Sequence, residues 1–296
     1  MRVQDYINQL AARFEQSELF FGHGTASALD DAVYLVYAGL ELDFSDTASV
    51  REGENRVLNS DQLAFLNELA VRRIEQRIPV AYLLGKAWFA GSKFYCDERA
   101  LVPRSPIAEL IANRFEPMLT QDPENILDLC TGGGCIGIAC ALEFESSQLL
   151  LADVSNAALA LASKNIELHQ LQKRVSVQQS DLFELIDGDF DLIVSNPPYV
   201  SKQEVNSLPA EYRQEPPLGL LSDDDGLALP LQILREAADY LRPNGLLVME
   251  VGYSHQQLTQ RLPDLPFLWL EFEYGGEGVF ALTASQLRKY EHCFAC

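Results

Sequence analysis

Ile126-Leu127-Asp128-Leu129-Cys130-Thr131-Gly132-Gly133-Gly134-Cys135 is the stretch that decides the fold. A short apolar run meets three glycines, and the small and apolar residues over 135–144 then read as a helix. Glycines at a strand-to-helix turn permit positive φ and let backbone amides approach a ligand beside a helix N-terminus. No Lys-Ser/Thr follows, which excludes a Walker loop, and the spacing differs from that of a dinucleotide fingerprint.

Working outward, short β-rich runs alternate with helical ones. Strands are expected over 126–130, 149–152, 175–179, 190–195, 246–251, 267–272 and 278–282, and helices over 135–144, 156–168, 227–241 and 254–262. The early strands are nearly continuous apolar runs, as burial on both faces requires. Only 273–277 joins the last two, so they are expected to be antiparallel. The pattern predicts an α/β fold: an open, mainly parallel, doubly wound sheet with a terminal antiparallel hairpin.

Upstream the texture differs. Val33, Val36, Tyr37 and Leu40 recur at helical spacing, as do Leu63, Leu66, Leu69, Ala70 and Ile74. Ser60-Asp61 reads as the N-cap of the second run, and Arg51-Glu52-Gly53-Glu54-Asn55 as a polar loop. Trp88-Phe89 and Phe94-Tyr95 flank Ala90-Gly91-Ser92, a hairpin pattern, and Leu101-Val102-Pro103-Arg104-Ser105-Pro106 reads as a strand ending in a proline-braced loop. The expected organisation is a small helical domain over 1–84, a β-hairpin linker over 85–106 and the α/β domain over 107–296.

Composition narrows the function classes. With 296 residues, 48% hydrophobic and 22% charged, the chain has the balance of a globular protein able to bury a full core. No apolar run has the length of a membrane span and the start lacks a signal-peptide core, so the expected location is cytoplasmic. Cys130, Cys135 and Cys140 read as buried thiols, and Cys293-x-x-Cys296 as a tail without a second ligand pair. The formal net charge of −21 repels phosphate backbones, which disfavours stable DNA binding. Asp223-Asp224-Asp225-Gly226 lacks calcium-loop spacing, and His23, His169, His255 and His292 show none for a metal.

Chemistry gathers at the strand ends. Asp128 lies in the first strand, Asp153 ends the second and Asp181 follows the third, at the edge where an open α/β sheet binds ligands. Capping is the plain alternative: Asp153 or Ser155, and Ser180 or Asp181, suit the starts of the following helices. The fourth strand delivers Asn196-Pro197-Pro198-Tyr199 to the same edge. Two prolines end the hydrogen-bond ladder and stiffen the turn. The Asn196 side-chain oxygen and the Pro197 carbonyl form an acceptor pair for a planar NH2 group, and Tyr199 either covers that group or packs the loop. Acids for a nucleoside beside a clamp for nitrogen suggest methyl transfer from S-adenosylmethionine.

The order of glycine loop, second-strand acid, third-strand acid and Asn-Pro-Pro-Tyr resembles class I, Rossmann-like methyltransferases acting on amide or exocyclic amino nitrogens. The helical N-terminus, the hairpin and Val102-Pro103-Arg104 narrow the resemblance to the protein N(5)-glutamine methyltransferases. Its ribosomal branch acts on a large-subunit protein, L-three. The likeness also covers Phe21-Gly22-His23-Gly24-Thr25, Arg77-Ile78-Pro79-Val80-Ala81-Tyr82-Leu83 and Trp269-Leu270-Glu271-Phe272. It implies that Asp128, Thr131, Gly132 and Gly134 line the methionine part of S-adenosylmethionine. Asp153 with Val154 would bind the ribose, Asp181 and Leu182 would border the adenine, and Asn196 with Pro197, Pro198 and Tyr199 would form the catalytic clamp. Arg104, Tyr212 and Arg213 are the expected substrate contacts, although Arg104 equally suits a surface salt bridge. Glu211-Tyr212-Arg213-Gln214-Glu215-Pro216 reads as a substrate-side loop or as exposed charge. The implied partner is a basic ribosomal protein, with release factors as the alternative substrate. Cys130 stands where the wider motif has its first glycine. DNA adenine methyltransferases use a similar clamp on a flipped base, but no Lys/Arg-rich recognition region accompanies it here. A catalytically silent cofactor-binding assembly factor is the alternative from another class, and the intact tetrapeptide disfavours it.

Overall fold

The structure, a computed structural model, describes residues 1–43 and 47–294; Cys296 of the C-terminal CxxC lies outside them. Helices α1 (Val3–Gln16), α2 (Ala28–Gly39), α3 (Thr47–Asn55), α4 (Ser60–Gln76) and α5 (Val80–Leu84) form the first part. Their apolar faces meet in a core that includes Tyr6, Leu10, Phe14, Leu35, Val36 and Leu66. Two sequence expectations need correction here. The N-cap of α4 is Asn59: its side chain accepts from Gln62 N at 2.8 Å, and the Gln62 side chain accepts from Asn59 N at 3.1 Å, closing a capping box one residue before Ser60. The expected polar loop at 51–55 is the second half of α3, where the Tyr37 hydroxyl donates to Val50 O at 3.0 Å and tertiary contact outweighs weak propensity.

Strands β1 (Lys86–Phe89) and β2 (Ser92–Tyr95) form the hairpin. Ala90 and Gly91 have φ of 45° and 75°, the left-handed pair that a tight hairpin turn requires. Segment 101–106 is not a strand: Val102 N donates to the Glu215 carboxylate at 3.0 Å instead of to a ladder. α6 (Ile107–Ala112) follows.

The main sheet contains β3 (Asn125–Leu129), β4 (Gln148–Asp153), β5 (Val175–Gln179), β6 (Phe190–Ser195), β7 (Leu241–Glu250), β8 (Leu268–Trp269) and β9 (Val279–Thr283). The spatial order is β5-β4-β3-β6-β7-β9-β8, parallel through β7 and antiparallel at β9 and β8. Alternation explains the apolar runs. Leu192 and Val194 face a core with α6, α7 (Cys135–Glu143) and α8 (Asn156–Leu168), whereas Ile193 faces the opposite core. The short α9 (Lys202–Val205) follows the clamp. α10 (Ala228–Tyr240), α11 (His255–Arg261) and α12 (Ala284–Lys289) cover that opposite face. The strand expected over 267–272 shrinks to Leu268–Trp269, because after one further bond, Leu270 N to Val279 O, the chain turns so that Glu273 N and Tyr274 N donate to Glu109. Among the described residues no helix is long and apolar enough to cross a membrane.

The chain runs outward from β3 through β4 to β5, then crosses back to β6 and continues to β7. This reversal opens a crevice beyond the carboxyl ends of β3 and β6. The hairpin is tied to it by Asn165 of α8, fully buried, which accepts from Tyr95 N at 2.7 Å and donates to Gly133 O at 2.8 Å.

Candidate active site

A cleft of about 880 Å³ occupies that crevice. On its β3–β4 side, Cys130 leaves the strand with φ 61°, taking in a non-glycine residue the left-handed conformation that a glycine adopts freely. Asp128 lies behind the turn. Its Oδ2 accepts from Thr131 Oγ1 at 2.5 Å and Gly137 N at 2.8 Å, while its buried Oδ1 has no partner. Burial pushes the Asp128 carboxyl up to about 7, against those two hydrogen bonds. Only glycine fits at 137, since a Cβ would stand 2.2 Å from Leu151 Cδ2 and 2.9 Å from Asp128.

Thr131, Gly132, Asp153, Val154, Asp181 and Leu182 line the cleft; Asp128 and Gly134 do not. Gly134 is the N-cap residue of α7. Asp153 accepts from Gly132 N and Ser155 N, each at 2.8 Å, and burial raises its pKa. Of the capping alternatives, Ser155 caps α8, its side chain accepting from Ala158 N at 3.2 Å, whereas among the described residues no helix lies between β5 and β6 for Ser180 or Asp181 to cap, and Ser180 accepts from Leu185 N at 3.0 Å within a turn. Asp181 is exposed at the cleft.

On the β6–β7 side, Asn196, Pro198 and Tyr199 line the same cleft, whereas Pro197 is buried outside its lining. Tyr199 is held at several points. Its hydroxyl donates to Glu250 Oε1 at 3.1 Å and its carbonyl accepts from Ser254 Oγ at 2.9 Å. Its ring lies so close to Gly252 that a Cβ there would be 2.6 Å away. Arg104 and Tyr212 line the cleft, and Arg213 does not.

The family described as Methyltransferase small domain matches residues 108–211. Over 295 residues the chain is 45% identical to the "Ribosomal protein uL3 glutamine methyltransferase" of Francisella tularensis, covering 99% of this chain and 93% of that protein. The chain belongs to this glutamine methyltransferase family. The protein of the same description from Xanthomonas campestris is 46% identical over 288 residues, covering 96% and 92% of the two chains. Among solved structures, the hMettl16 catalytic domain in complex with MAT2A 3′UTR hairpin 1 superposes with a TM-score of 0.51 at 15% identity, covering 84% of this chain and 90% of that one; this likeness concerns the fold alone.

In this glutamine methyltransferase the loop after the clamp is not exposed charge, contrary to one reading of its sequence. Glu211 and Glu215 are each 2% exposed. Glu215 takes a bidentate pair from Arg104 at 2.6 and 2.8 Å, and His23 Nε2 lies 3.4 Å away. Burial opposes ionisation of Glu215, but Arg104 and His23 hold its carboxyl at about 2. Glu211 meets Arg73 of α4, whose guanidinium donates to Asp31 at 2.8 Å, Glu211 at 3.2 Å and Phe20 O at 2.8 Å. Arg104, partly exposed at the cleft, therefore pairs with a buried carboxylate within the chain. Sequence reasoning misses Arg73, Asp31 and Glu250. Arg73 carries a visible signal: it continues the buried face Leu66, Leu69, Ala70 of α4, where an unpaired cation would be costly.

Proposed function

We propose that this chain transfers the methyl group of S-adenosylmethionine to the side-chain amide nitrogen of a glutamine in ribosomal protein uL3. The observation that carries the reading is that one cleft places Thr131, Asp153 and Asp181 on one wall and Asn196 on the other. The residues fit the cofactor. Acids line the wall, and behind it the buried Asp128 Oδ1 has no partner of its own. Thr131 and Gly132 would hold its methionine part, Asp153 and Val154 the ribose, and Asp181 with Leu182 the adenine. When bound, it supplies an electrophilic methyl group on a sulfonium.

A carboxamide nitrogen is a poor nucleophile because its lone pair is delocalised into the carbonyl. Asn196 Oδ1 accepts one N–H of the glutamine, while Pro197, buried outside the cleft lining, stiffens the turn that carries it. This acceptor favours positive charge developing on nitrogen more than it favours the neutral ground state. The stiff Asn-Pro-Pro turn fixes the nitrogen in line, converting an encounter into an intramolecular event. The proton leaves nitrogen late, to Asn196 or to water, and no strong base is assigned. The acidic surface steers a basic ribosomal protein toward the cleft and repels DNA, and the reaction belongs to the cytoplasm.

The test is incubation of purified protein and labelled S-adenosylmethionine with an extract from cells lacking the enzyme. The expected result is label on a glutamine of uL3. Label on a release factor would redirect the substrate, and label on DNA would overturn the reading.

A further inference from the structure

We infer that His23 is the positioning residue of Tyr212: segment 20–24, between α1 and α2, seats that ring as the part of the cleft wall against which the substrate segment carrying the glutamine lies. The inference rests on the reading of the cleft as the place where the glutamine enters.

Tyr212 lies in the 3₁₀ turn Ala210–Gln214 and lines the cleft. Three side chains enclose its ring. The His23 imidazole meets it edge to face, with ring centroids 4.6 Å apart and planes at 61°. Phe20 is tilted against it at 5.5 Å, and the Arg104 guanidinium stands 5.5 Å from its centroid. His23 and Phe20 also meet each other edge to face at 6.1 Å. Two ties bracket the same ring along the chain. Phe20 N donates to Glu211 Oε1 at 3.1 Å, one residue before Tyr212, and His23 Nε2 stands 3.4 Å from Glu215 Oε2, three residues after it.

His23 is 5% exposed, and among the described residues neither of its ring nitrogens makes a hydrogen bond. Burying such a group is costly, so its place here rests on the aromatic contacts and on the carboxylate beside it. A larger apolar ring would set carbon against the buried Glu215, whereas an imidazole offers an aromatic edge that a carboxylate tolerates. Gly22 completes the seat: a Cβ there would be 2.5 Å from Phe20 Cε1, so a side chain would push the Phe20 ring off its place. The stretch Phe21-Gly22-His23-Gly24-Thr25 thus shapes the cleft through Tyr212. The enclosure draws on residues 20, 23 and 104, and on none from the glycine turn or the acids of the cofactor wall. Tyr212 would touch the substrate alike before and during methyl transfer. Its displacement therefore weakens substrate binding without slowing the chemical step.

The test is a double-mutant cycle on His23 and Tyr212 with uL3 as the substrate. His23→Ala and Tyr212→Leu should each raise KM for uL3 about fivefold, the scale of one aromatic pair, with kcat and the calorimetric S-adenosylmethionine Kd within twofold of wild type. The double variant should be no worse than Tyr212→Leu alone, because His23 acts through that ring. Should His23→Ala fail to fold, His23→Leu fills the space without an aromatic edge and takes its place in the cycle. NMR of isotope-labelled tyrosine, in protein without substrate, gives a second reading: the Tyr212 ring should flip faster in the His23 variant than in wild type. Additive effects on KM, loss of cofactor affinity, or an unchanged Tyr212 ring would each overturn the inference. If wild-type protein leaves uL3 unlabelled while the Tyr212 ring loosens in the His23 variant, the substrate assignment fails and the positioning role stands.

Discussion

The two walls of the cleft are built by different means. The β3–β4 wall is local: Asp128 reaches Thr131 three residues on and Gly137 nine on, and Asp153 reaches back 21 residues to Gly132. The opposite wall is assembled from distant pieces. Arg104 and Glu215 are 111 residues apart, Arg73 and Glu211 are 138, and Ser105 and Glu250 are 145. Backbone geometry and glycine fix the first wall, whereas buried, mutually neutralised charge fixes the second. The contrast implies that damage to the second wall should spare cofactor binding, and that damage to the first should not.

The largest effect is expected at Arg73. Arg73→Ala leaves Asp31 buried without its cation and Glu211 with only the more distant Arg77, 3.7 Å away, and should cost about 3–5 kcal/mol, read as a lowered denaturation midpoint. A variant as stable as wild type would show that these carboxylates find water or each other, and would end the picture of a charge-built wall. Next is Asn196→Ala, for which a fall in turnover of about 10²–10³-fold is expected, the scale of losing one preorganised polar group. Calorimetric binding of S-adenosylmethionine should survive; its loss would erase the division between the walls.

Gly137→Ala attacks the local wall and should cost about 1–3 kcal/mol through overpacking against Leu151 and Asp128, with weakened cofactor affinity. Intact affinity would mean the glycine turn tolerates a displaced α7. The smallest effect concerns pH. A carboxyl whose folded pKa is raised to about 7 contributes stability that is present below its unfolded value near 4 and is lost as pH rises through 7. The wild-type melting temperature should therefore fall, relative to Asp128→Asn, between pH 4 and 7. Parallel curves for the two proteins would place Asp128 ionised and satisfied across that range.

The same contrast separates what is legible in the sequence from what is not. The glycine turn, the acids at the strand ends, the Asn-Pro-Pro-Tyr exit and the two-sided strands are legible because each lies within a short window whose periodicity or turn chemistry is self-contained. Segment 101–106 reads wrongly as a strand because its backbone donor at Val102 is claimed by Glu215, a partner outside any local window. Glu250 is invisible for the same reason, reading simply as the end of an apolar run. The helical stretch at 51–55 shows the converse, in that weak local signals give way to packing under Tyr37. At Arg73 one helical face is enough to reveal an inward cation and to raise the question of what neutralises it.

One short 3₁₀ turn, Ala210–Gln214, and the residue after it send Glu211 and Glu215 inward to cations supplied by residues 73 and 104. The first hundred residues are consequently not an interchangeable attachment. A chimera that grafts another protein's helices onto this sheet must bring a matching guanidinium group to Glu211, or relocate that acid, before it can be expected to fold.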